Sequence, residues 1–257
     1  MDNFRLDGRI AVITGGSRGI GLAIAVAFAQ AGAHVIIAAR DEQALQAAAD
    51  QIKAENGSAQ AMQLDVADLA ACGSIVDAVV SEHGKLDILV NNAGINARDL
   101  AVDVKVENFD RVLGVNLRGA FFLSQAAGRV MVPAKRGKVI NIVSATSFIG
   151  LSKVSTYGIS KGGLLQMTRA LATEWARDNV QVNAIAPGFI LTNLNRKLWE
   201  NEQLLGWVLG NTPAGRLGKP EDVVGAAVFF ASSASDFVTG QVIGVDGGFL
   251  AGGPWPL

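Results

Sequence analysis

The sequence predicts a single α/β domain over residues 1–257, with a doubly wound parallel sheet of about seven strands and helices on both faces. Short apolar runs rich in β-branched residues alternate along the chain with longer alanine-rich stretches that favour helix. A glycine-rich turn separates the first such run from the first helical stretch. The 257 residues are 50% hydrophobic and 18% charged, which is enough apolar material to bury one large core.

The first unit of the chain has the pattern strand, glycine turn, helix, strand. Ile10–Thr14 is a β-branched run, Leu22–Ala31 favours helix and Val35–Ala38 favours strand. Between the first two lies Gly15-Gly-Ser-Arg-Gly-Ile-Gly21, whose glycines let the backbone approach a pyrophosphate at a helix amino terminus. The unit is typical of a Rossmann-like fold and predicts a dinucleotide site, with an ordinary turn as the alternative.

The end of the second strand indicates which dinucleotide binds. Sites for NAD(H) usually place an acidic residue there for the ribose hydroxyls, whereas a 2′-phosphate requires a cation. This chain has Arg40 at that position and Arg18 inside the glycine turn. We therefore expect NADP(H) rather than NAD(H). The alternative is that both arginines are solvated and Asp41, which also resembles a helix N-cap, binds the ribose.

The rest of the chain repeats the same alternation of strands and helices. Further strands are predicted at Ala59–Leu64, Leu86–Val90, Val139–Val143, Gln181–Ala186 and Gln241–Val245. Further helices are predicted at Asp41–Glu55, Asp68–Ser81, Val106–Met131, Ser155–Arg177 and Pro220–Ser232.

Charge and hydropathy patterns exclude several classes of partner. The net charge is −1 and no block of like charges is present, so nothing favours nucleic acid. Met1–Gly8 is polar and lacks the apolar core of a signal peptide. Ile20–Ala39 is long enough to span a bilayer, but Gln30, Gly32 and His34 interrupt it, which favours a helix followed by a strand. We expect a cytoplasmic protein without a membrane partner.

Cysteine and histidine are too sparse to predict a metal site. Cys72 is the one cysteine, so it allows no internal disulfide, and we interpret it as a buried helix residue in a reducing compartment. His34 and His83 lie far apart in the sequence and are interpreted as isolated structural residues.

One stretch carries residues suited to proton transfer. Tyr157 is the only tyrosine of the chain, and Lys161 follows it by four residues, which places both on one face of a helix. A neighbouring cation favours the phenolate, so the lysine is expected to lower the pKa of the tyrosine. Ser144 ends the apolar run Val139–Val143, which places its hydroxyl at the carboxyl edge of the sheet, where such folds bind ligands. Taken alone, such a pair is more often an inert pair on a helix surface than a catalytic one.

Together these motifs resemble the short-chain dehydrogenase/reductase family. The resemblance covers essentially the whole chain, and its strength lies in the order and spacing of many weak motifs. They are Thr14-Gly-Gly-Ser-Arg-Gly-Ile-Gly21, Asp65-Val66, Asn91-Asn-Ala-Gly94, Asn116, Ser144, Tyr157 with Lys161, and Pro187-Gly188 with Thr192.

The resemblance implies a reversible hydride transfer between a dinucleotide and a ketone or secondary alcohol. Tyr157 would be the general acid or base, and Lys161 would lower its pKa and bind the nicotinamide ribose. Ser144 would hold the substrate oxygen, and Asn116 would position a water that joins Lys161 to solvent. Without the resemblance, Asn116 would be interpreted as a satisfied core amide.

The resemblance also implies a set of cofactor contacts. Asp65 would hydrogen-bond the adenine and Val66 would line it, while Asn92 to Gly94 would border the adenosine ribose. The full set is Gly15, Ser17, Arg18, Gly19, Ile20, Gly21, Arg40, Asp65, Val66, Asn92, Ala93, Gly94, Tyr157, Lys161, Pro187, Gly188, Ile190 and Thr192.

A segment after the sixth strand has no counterpart in a minimal Rossmann pattern. In the family, this segment, at about residues 189–213, is a mobile lid over the substrate. Its residues Trp199 and Trp207 could line an apolar pocket or anchor the lid. The glycine- and proline-rich tail either frays or docks Trp255 on the chain or on a partner subunit near a substrate pocket, and docking is preferred.

Several alternatives remain open from the sequence. The resemblance favours a homo-oligomer, a dimer or tetramer, formed through Val106–Met131 and Ser155–Arg177. The substrate is a small carbonyl or alcohol compound, and the motifs fit 3-oxoacyl-carrier-protein reductases, tropinone-type reductases and gluconate-type dehydrogenases equally well. An NAD-preferring alcohol or sugar-acid dehydrogenase is a second possibility. A dinucleotide-binding regulatory protein without catalysis is a third.

Overall fold

A computed structural model describes residues 2–192 and 195–253, and its centre is one parallel sheet. Seven strands lie in the order β3-β2-β1-β4-β5-β6-β7. They are β1 Ile10–Thr14, β2 His34–Ala39, β3 Ser58–Gln63, β4 Ile88–Asn91, β5 Gly137–Ile142, β6 Val180–Pro187 and β7 Val242–Val245. Every residue of β1, β4, β5 and β6 is buried, as expected for parallel strands covered on both faces.

Helices cover both faces of the sheet. They are α1 Gly19–Gln30, α2 Glu42–Ala54, α3 Leu69–His83, α4 Val106–Leu113, α5 Ala120–Met131, α6 Ser155–Trp175, α7 Glu202–Asn211 and α8 Pro220–Ala231. One core cluster joins α1, α2 and α8 to the sheet through residues such as Phe28, Leu45 and Phe230. The second joins α3, α5 and α6 through Leu123 and Leu164. The predicted doubly wound α/β fold is confirmed.

The chain order of the strands reverses beside β1. This strand pairs with β2 on one side and with β4 on the other, because the chain moves outward to β3 and then crosses back. Open α/β sheets bind ligands in the crevice at the carboxyl ends of the strands beside such a switch point. The glycine turn that follows β1 and the segments that follow β4, β5 and β6 all leave the sheet at this edge.

Most predicted helix ends lie within about two residues of the observed ones, and two predicted helices differ more. Helix α1 begins at Gly19, inside the glycine turn, three residues before the expected Leu22. The helix predicted at Val106–Met131 is interrupted by a π-helix at Gly114–Gly119. Side-chain periodicity does not reveal a π-helix, because contacts outside the helix, and not the local sequence pattern, stabilise its wider turn.

The interpretation of the two histidines as isolated is wrong. The rings of His34 and His83 lie 4.7 Å apart between centroids, at the amino-terminal edge of the sheet. His34 Nδ1 is 2.6 Å from Ser58 Oγ, and His83 Nε2 is 3.3 Å from Gln60 Oε1. Over residues 2–192 and 195–253, no group of three or more His, Cys, Asp or Glu side chains is arranged to hold a metal ion.

Two further expectations concern other parts of the chain. Cys72 is buried in α3, as predicted. None of the helices in the described part of the chain is both long and apolar enough to cross a membrane. Asn193, Leu194 and Trp255 lie outside the described residues, and so does the predicted docking of the tail.

Candidate active site

Tyr157 and Lys161 lie in the first two turns of α6, with Ser144 opposite them. The Lys161 Nζ atom is 5.8 Å from the centroid of the Tyr157 ring, as the four-residue spacing predicts. Ser144 follows the end of β5 and caps a short 3₁₀ helix at Ala145–Ser147. The sheet edge and helix α6 therefore bring the phenol, the ammonium and the serine hydroxyl together.

Ser144 has a defined hydrogen-bonding role. Its Oγ accepts from the backbone N of Thr146 at 3.2 Å and from Thr146 Oγ1 at 3.0 Å. A hydroxyl that accepts twice still has its own proton to donate. That proton can be donated towards Tyr157 or towards an oxygen bound beside it.

Lys161 is held as a buried cation. It is 3% exposed, and Nζ donates a hydrogen bond of 2.7 Å to the carbonyl oxygen of Ile142. Burial lowers the pKa of Lys161 to about 8. The group is therefore mostly protonated near neutral pH, with two further N–H donors available besides the one that Ile142 accepts.

The pKa of Tyr157 shifts opposite to the sequence-based expectation. Burial raises the pKa of the phenol, and this effect is larger than the hydrogen bond with Ser144 and the charge of Arg98, which both lower it. The expectation considered only the neighbouring lysine. Burial destabilises the phenolate more than the hydrogen bond with Ser144 and the charge of Arg98 stabilise it.

Asn116 is held by three hydrogen bonds. It is fully buried in the π-helix, where Nδ2 donates to the carbonyl of Ile95 at 2.9 Å and to Ser160 Oγ at 3.0 Å. Its Oδ1 accepts from the backbone N of Ile95 at 2.8 Å. A methyl group added at Gly94 would lie 3.4 Å from Asn116 Oδ1 and 3.5 Å from Lys161 Nζ. Asn116 and Lys161 therefore border the same space above Gly94.

The glycine turn is braced from β4. Asn92 Nδ2 donates to the carbonyl oxygens of Thr14 at 2.8 Å and Gly15 at 3.2 Å, which fixes the turn against the end of that strand. A Cβ atom at Gly15 would lie 2.8 Å from this amide, and one at Gly21 would clash with the Gly15 carbonyl. The turn is therefore packed so closely that these two positions accept only glycine.

The turn and its surroundings suit an anionic dinucleotide. Arg18 is the N-cap residue of α1 and makes no side-chain cap, so the first-turn N–H groups are available to an anion. Within residues 2–192 and 195–253, neither Arg18 nor Arg40 forms an ion pair, and both are exposed. Asp41, the alternative ribose ligand, caps α2 by accepting from the Ala44 backbone N at 3.1 Å.

Other predicted cofactor residues follow β3 and β6. Asp65 is exposed and accepts from the backbone N of Ala67, while Val66 is buried. Gly188 continues β6 by donating to the Val245 carbonyl at 3.0 Å. Thr192 reaches the glycine turn, since a methyl group at Gly19 would lie 3.5 Å from its Cγ2.

Four residues at the site were not predicted from the sequence. Ser160 links the two halves of the site, because it accepts from Asn116 and donates to the carbonyl of Tyr157 at 2.7 Å. Thr146 donates a hydrogen bond to Ser144, and Arg98 lowers the pKa of Tyr157. Asn195 accepts a hydrogen bond from the backbone N of Thr192. Ser160 precedes Lys161 directly and could have been noticed, whereas Arg98 and Asn195 lie in loops without a recognisable pattern.

An aromatic cluster anchors the segment after β6. The ring of Phe189 packs edge to face with Trp199 at 6.0 Å, Trp207 at 6.2 Å and Phe249 at 5.0 Å between centroids. Both tryptophans thus pack on the residue that follows Pro187-Gly188. This geometry favours anchoring over the alternative in which they line a pocket.

Comparison with known proteins agrees with this architecture. A family model described as enoyl-(acyl carrier protein) reductase matches residues 15–250. Gluconate 5-dehydrogenase of Gluconobacter oxydans strain 621H is 40% identical over 247 residues, which are 96% of each chain. A 3-oxoacyl-[acyl-carrier-protein] reductase of Thermotoga maritima is 39% identical over 246 residues, covering 96% of this chain and 99% of that protein.

Solved structures give the same result. A gluconate 5-dehydrogenase from Burkholderia cenocepacia J2315, in complex with NADP and tartrate, has a TM-score of 0.94 and is 40% identical to this chain. The match covers 97% of this chain and 98% of that one. These findings and the geometry agree with the motifs in the sequence, and the chain belongs to the short-chain dehydrogenase/reductase family of oxidoreductases.

Proposed function

We propose that this protein interconverts a ketone and a secondary alcohol with NADP(H), with a sugar acid or related hydroxy acid as substrate. The observation that carries the proposal is the convergence of Ser144, Tyr157 and Lys161 at the carboxyl edge of the sheet. NADP(H), when bound, supplies or accepts the hydride. The groups of the chain then manage the proton and the substrate oxygen.

Tyr157 acts as general acid in reduction and as general base in oxidation. Its raised pKa keeps the phenol protonated at neutral pH, which suits donation of a proton to a carbonyl oxygen. Ser144, whose oxygen already accepts from Thr146, donates a hydrogen bond to the same carbonyl oxygen of the substrate. The two hydroxyls together stabilise negative charge that develops on the oxygen during hydride transfer.

Lys161 and Asn116 connect the phenol to solvent. The Lys161 ammonium uses one N–H for Ile142 and has the others for a ribose hydroxyl and a water. Asn116 accepts from the backbone of Ile95 and borders the exposed Gly94. A water above Gly94, between Asn116 and Lys161, would reach solvent. This arrangement supports a proton relay that restores the protonation state of Tyr157 after each turnover.

The glycine turn and the two arginines would hold NADP(H). The uncapped amino terminus of α1 would bind the pyrophosphate, and Arg18 and Arg40 would bind the 2′-phosphate. Asp65 and Val66 would border the adenine, Asn92, Ala93 and Gly94 the ribose, and Pro187 to Thr192 the nicotinamide. The use of Asp41 as a helix cap supports NADP(H) over NAD(H).

Arg98 supports an anionic substrate. Its guanidinium is exposed but close enough to lower the pKa of Tyr157. A cation in that position can pair with the carboxylate of a substrate whose carbonyl is at Tyr157. The relatives include a gluconate 5-dehydrogenase, and the Burkholderia cenocepacia structure holds the hydroxy acid tartrate.

A 3-oxoacyl thioester is the second candidate substrate. The family model and the Thermotoga maritima relative are both named for acyl-carrier-protein substrates. Arg98 is the feature that favours a sugar acid over this candidate.

A substrate panel with both dinucleotides tests the proposal. The panel contains a keto sugar acid, the ketose that lacks its carboxylate and a 3-oxoacyl thioester, each followed by the loss of NADPH or NADH absorbance. We expect the highest kcat/KM with the keto sugar acid and NADPH. Preference for the thioester would select the second candidate. Tight NADPH binding without turnover of any compound would support a non-catalytic dinucleotide-binding protein.

We also propose that the chain forms a single domain with a substrate lid at about residues 189–213. We further propose that the protein is a homo-oligomer. Val106, Phe121 and Ile159 are 70%, 39% and 54% exposed on α4, α5 and α6, which gives these helices an apolar outer surface suited to a second copy. Light scattering after gel filtration tests this oligomeric state, and a monomer at micromolar concentration would contradict it.

A cytoplasmic location is expected from the sequence and is tested by fractionation of the source cells.

A further inference from the structure

Thr146 is bonded to Ser144 through both its backbone and its side chain. The backbone N of Thr146 donates to Ser144 Oγ at 3.2 Å, and Thr146 Oγ1 lies 3.0 Å from the same oxygen. In the part of the chain that the structure describes, this is the one hydrogen bond of the Thr146 hydroxyl. The half-buried Thr146 side chain is therefore placed to control where the Ser144 hydroxyl points.

The turn that contains the two residues is braced on two sides. The backbone N of Ser147 donates to the carbonyl of Ser144 at 2.9 Å, and Ser147 Oγ accepts from the backbone N of Ser144 at 3.3 Å. Thr146 also packs against α6, because a Cβ atom at Gly158 would lie 3.5 Å from its carbonyl oxygen and 4.0 Å from its Cβ. Gly158 directly follows Tyr157, so the Thr146 hydroxyl is held in place relative to both Ser144 and Tyr157.

The direction of the bond between the two hydroxyls decides what Ser144 can do. The backbone N–H of Thr146 occupies one lone pair of Ser144 Oγ, which leaves one lone pair and one proton. If Ser144 donated to Thr146, its only proton would be used inside the turn. If Thr146 donates, both lone pairs of Ser144 are filled and its proton is available to the site.

The effect of Ser144 on Tyr157 favours the second arrangement. The hydrogen bond with Ser144 lowers the pKa of the phenol, which requires Ser144 to donate to the phenolate oxygen. Arg98, in the segment after β4, also lowers this pKa, and the Lys161 ammonium on α6 lies 5.8 Å from the ring centroid. Thr146 carries no charge, so its loss changes the direction of a hydrogen bond and leaves these two cations in place.

We propose that Thr146 is a positioning residue that directs the Ser144 proton towards Tyr157 and towards the carbonyl oxygen of the substrate. This inference rests on the proposed function, because Ser144 and Tyr157 act there on the same oxygen. The Thr146 hydroxyl fills the second lone pair of Ser144, so Ser144 donates to the site and cannot accept from the phenol. Without that hydroxyl, Ser144 can accept from the Tyr157 O–H, which stabilises the phenol over the phenolate.

Three variants in this turn separate the direction of the bond from the packing of the turn. Thr146→Val removes the hydroxyl and keeps the shape of the side chain, whereas Thr146→Ser keeps the hydroxyl. Ser147→Ala is the matched control, because it removes the bond from the Ser144 backbone N and leaves both donors to Ser144 Oγ in place. Thr146→Ala replaces Thr146→Val if that variant does not fold.

The first readouts are the pH profile of kcat/KM for oxidation, kcat for reduction and the Kd for NADPH. Thr146→Val should move the oxidation profile about 0.5–1 unit to higher pH, since oxidation requires the phenolate. Its kcat for reduction should fall about three- to tenfold, and its Kd for NADPH should stay within about twofold of the wild type. Thr146→Ser and Ser147→Ala should retain the wild-type profile.

A second readout needs neither substrate nor dinucleotide. Tyr157 is the only tyrosine of the 257 residues, so the near-ultraviolet absorbance of a phenolate reports on this residue alone. The absorbance is recorded directly after a rapid pH jump, before alkaline unfolding, with circular dichroism as the check on folding. The pKa of Tyr157 should be about 0.5–1 unit higher in Thr146→Val than in the wild type.

A double variant tests whether Thr146 acts through Ser144. In the Ser144→Ala background, the oxygen to which Thr146 donates is absent. Adding Thr146→Val to this background should therefore change kcat less than about twofold.

Several results would overturn the inference. A wild-type pH profile and kcat in Thr146→Val would show that the hydroxyl does not direct Ser144. An equal loss in Thr146→Ser or Ser147→Ala would assign the effect to the packing of the turn, and an undiminished loss in the Ser144→Ala background would assign it to a role apart from Ser144. If the wild type turns over none of the panel compounds, the proposed function fails, and the phenolate titration still decides whether Thr146 directs the Ser144 proton.

Discussion

Lys161 donates a hydrogen bond of 2.7 Å from Nζ to the carbonyl oxygen of Ile142. Ile142 is the last residue of β5, the strand that leads to Ser144. The bond therefore fixes the lysine of α6 to the strand that carries the serine. Lys161 is only 3% exposed, and burial lowers the pKa of its ammonium group to about 8. The fold thus maintains a charge that lowers its own stability.

Lys161→Met should raise stability near neutral pH while turnover is lost. The folded-state pKa of about 8 lies below the ordinary value of 10.5, so the unfolded chain binds more protons between these values. Stability from this group is therefore lost as pH falls from 10.5 to about 8. The shift corresponds to roughly 3 kcal/mol, which the missing hydrogen bond offsets by about 1–2 kcal/mol. We expect Tm to rise by roughly 2–6 °C at about pH 7 and the gain to disappear near pH 10.5.

Thermal unfolding of the variant and the wild type across this pH range checks the prediction. Other titrating groups cancel in the difference between the two proteins. A lower Tm for Lys161→Met at about pH 7 would show that the bond to Ile142 outweighs the cost of burying the charge.

Tyr157→Phe should abolish turnover and leave NADPH binding within about threefold of the wild type. The ring that packs beside Lys161 is kept, and only the hydroxyl that transfers the proton is removed. General acid–base catalysis contributes about 10²–10⁴-fold, so kcat should fall at least that far. Steady-state kinetics and an NADPH titration measure the two effects. Activity within about tenfold of the wild type would exclude Tyr157 as the acid.

Arg98→Ala should move the pH dependence of the reaction to higher pH. Arg98 lowers the pKa of Tyr157, so its removal raises that pKa further. Oxidation requires the phenolate and should begin at higher pH, whereas reduction requires the phenol and should persist to higher pH. Arg98→Lys keeps the charge and should retain the wild-type profile. Profiles of kcat/KM in both directions check this, and an unchanged profile for Arg98→Ala would show that its charge does not reach Tyr157.

The sequence predicted those features that depend on local pattern. The alternation of strands and helices, the glycine turn and the four-residue spacing of Tyr157 and Lys161 follow from side-chain type and periodicity. The resemblance to a family added Asn116, whose polar side chain alone indicates only a satisfied core amide.

Features that depend on distant contacts could not be predicted. The π-helix around Asn116 is stabilised by Ile95, which is 21 residues away along the chain. The pKa of Tyr157 depends on the balance of burial against charge, and spacing reports only the charge. His34 and His83 meet because β2 begins and α3 ends at the same edge of the sheet.

Arg40→Ala should weaken NADPH binding much more than NADH binding. Charged hydrogen bonds to a phosphate contribute about 1.5–3 kcal/mol, so the KM for NADPH should rise about 10- to 150-fold while that for NADH changes little. Arg18→Ala should show the same selectivity. Arg177, an exposed arginine of the 3₁₀ helix Ala176–Asp178, gives the control Arg177→Ala, for which neither KM should change. Equal effects of Arg40→Ala on both cofactors would indicate NAD(H) instead.

Gly21→Ala should destabilise the protein, whereas Gly73→Ala should stabilise it. Both glycines are helical, but a Cβ at Gly21 would clash with the Gly15 carbonyl, while a Cβ at Gly73 in α3 meets nothing within 4 Å. Crowding at Gly21 should cost about 1–3 kcal/mol, and alanine at Gly73 should gain about 0.5–1 kcal/mol through its helix propensity. Chemical denaturation measures both changes. Because Gly15 lies in the proposed pyrophosphate site, Gly21→Ala should also weaken NADPH binding, and Gly73→Ala should not. A stable Gly21→Ala protein with normal NADPH affinity would mean that the glycine turn can open without loss of the site.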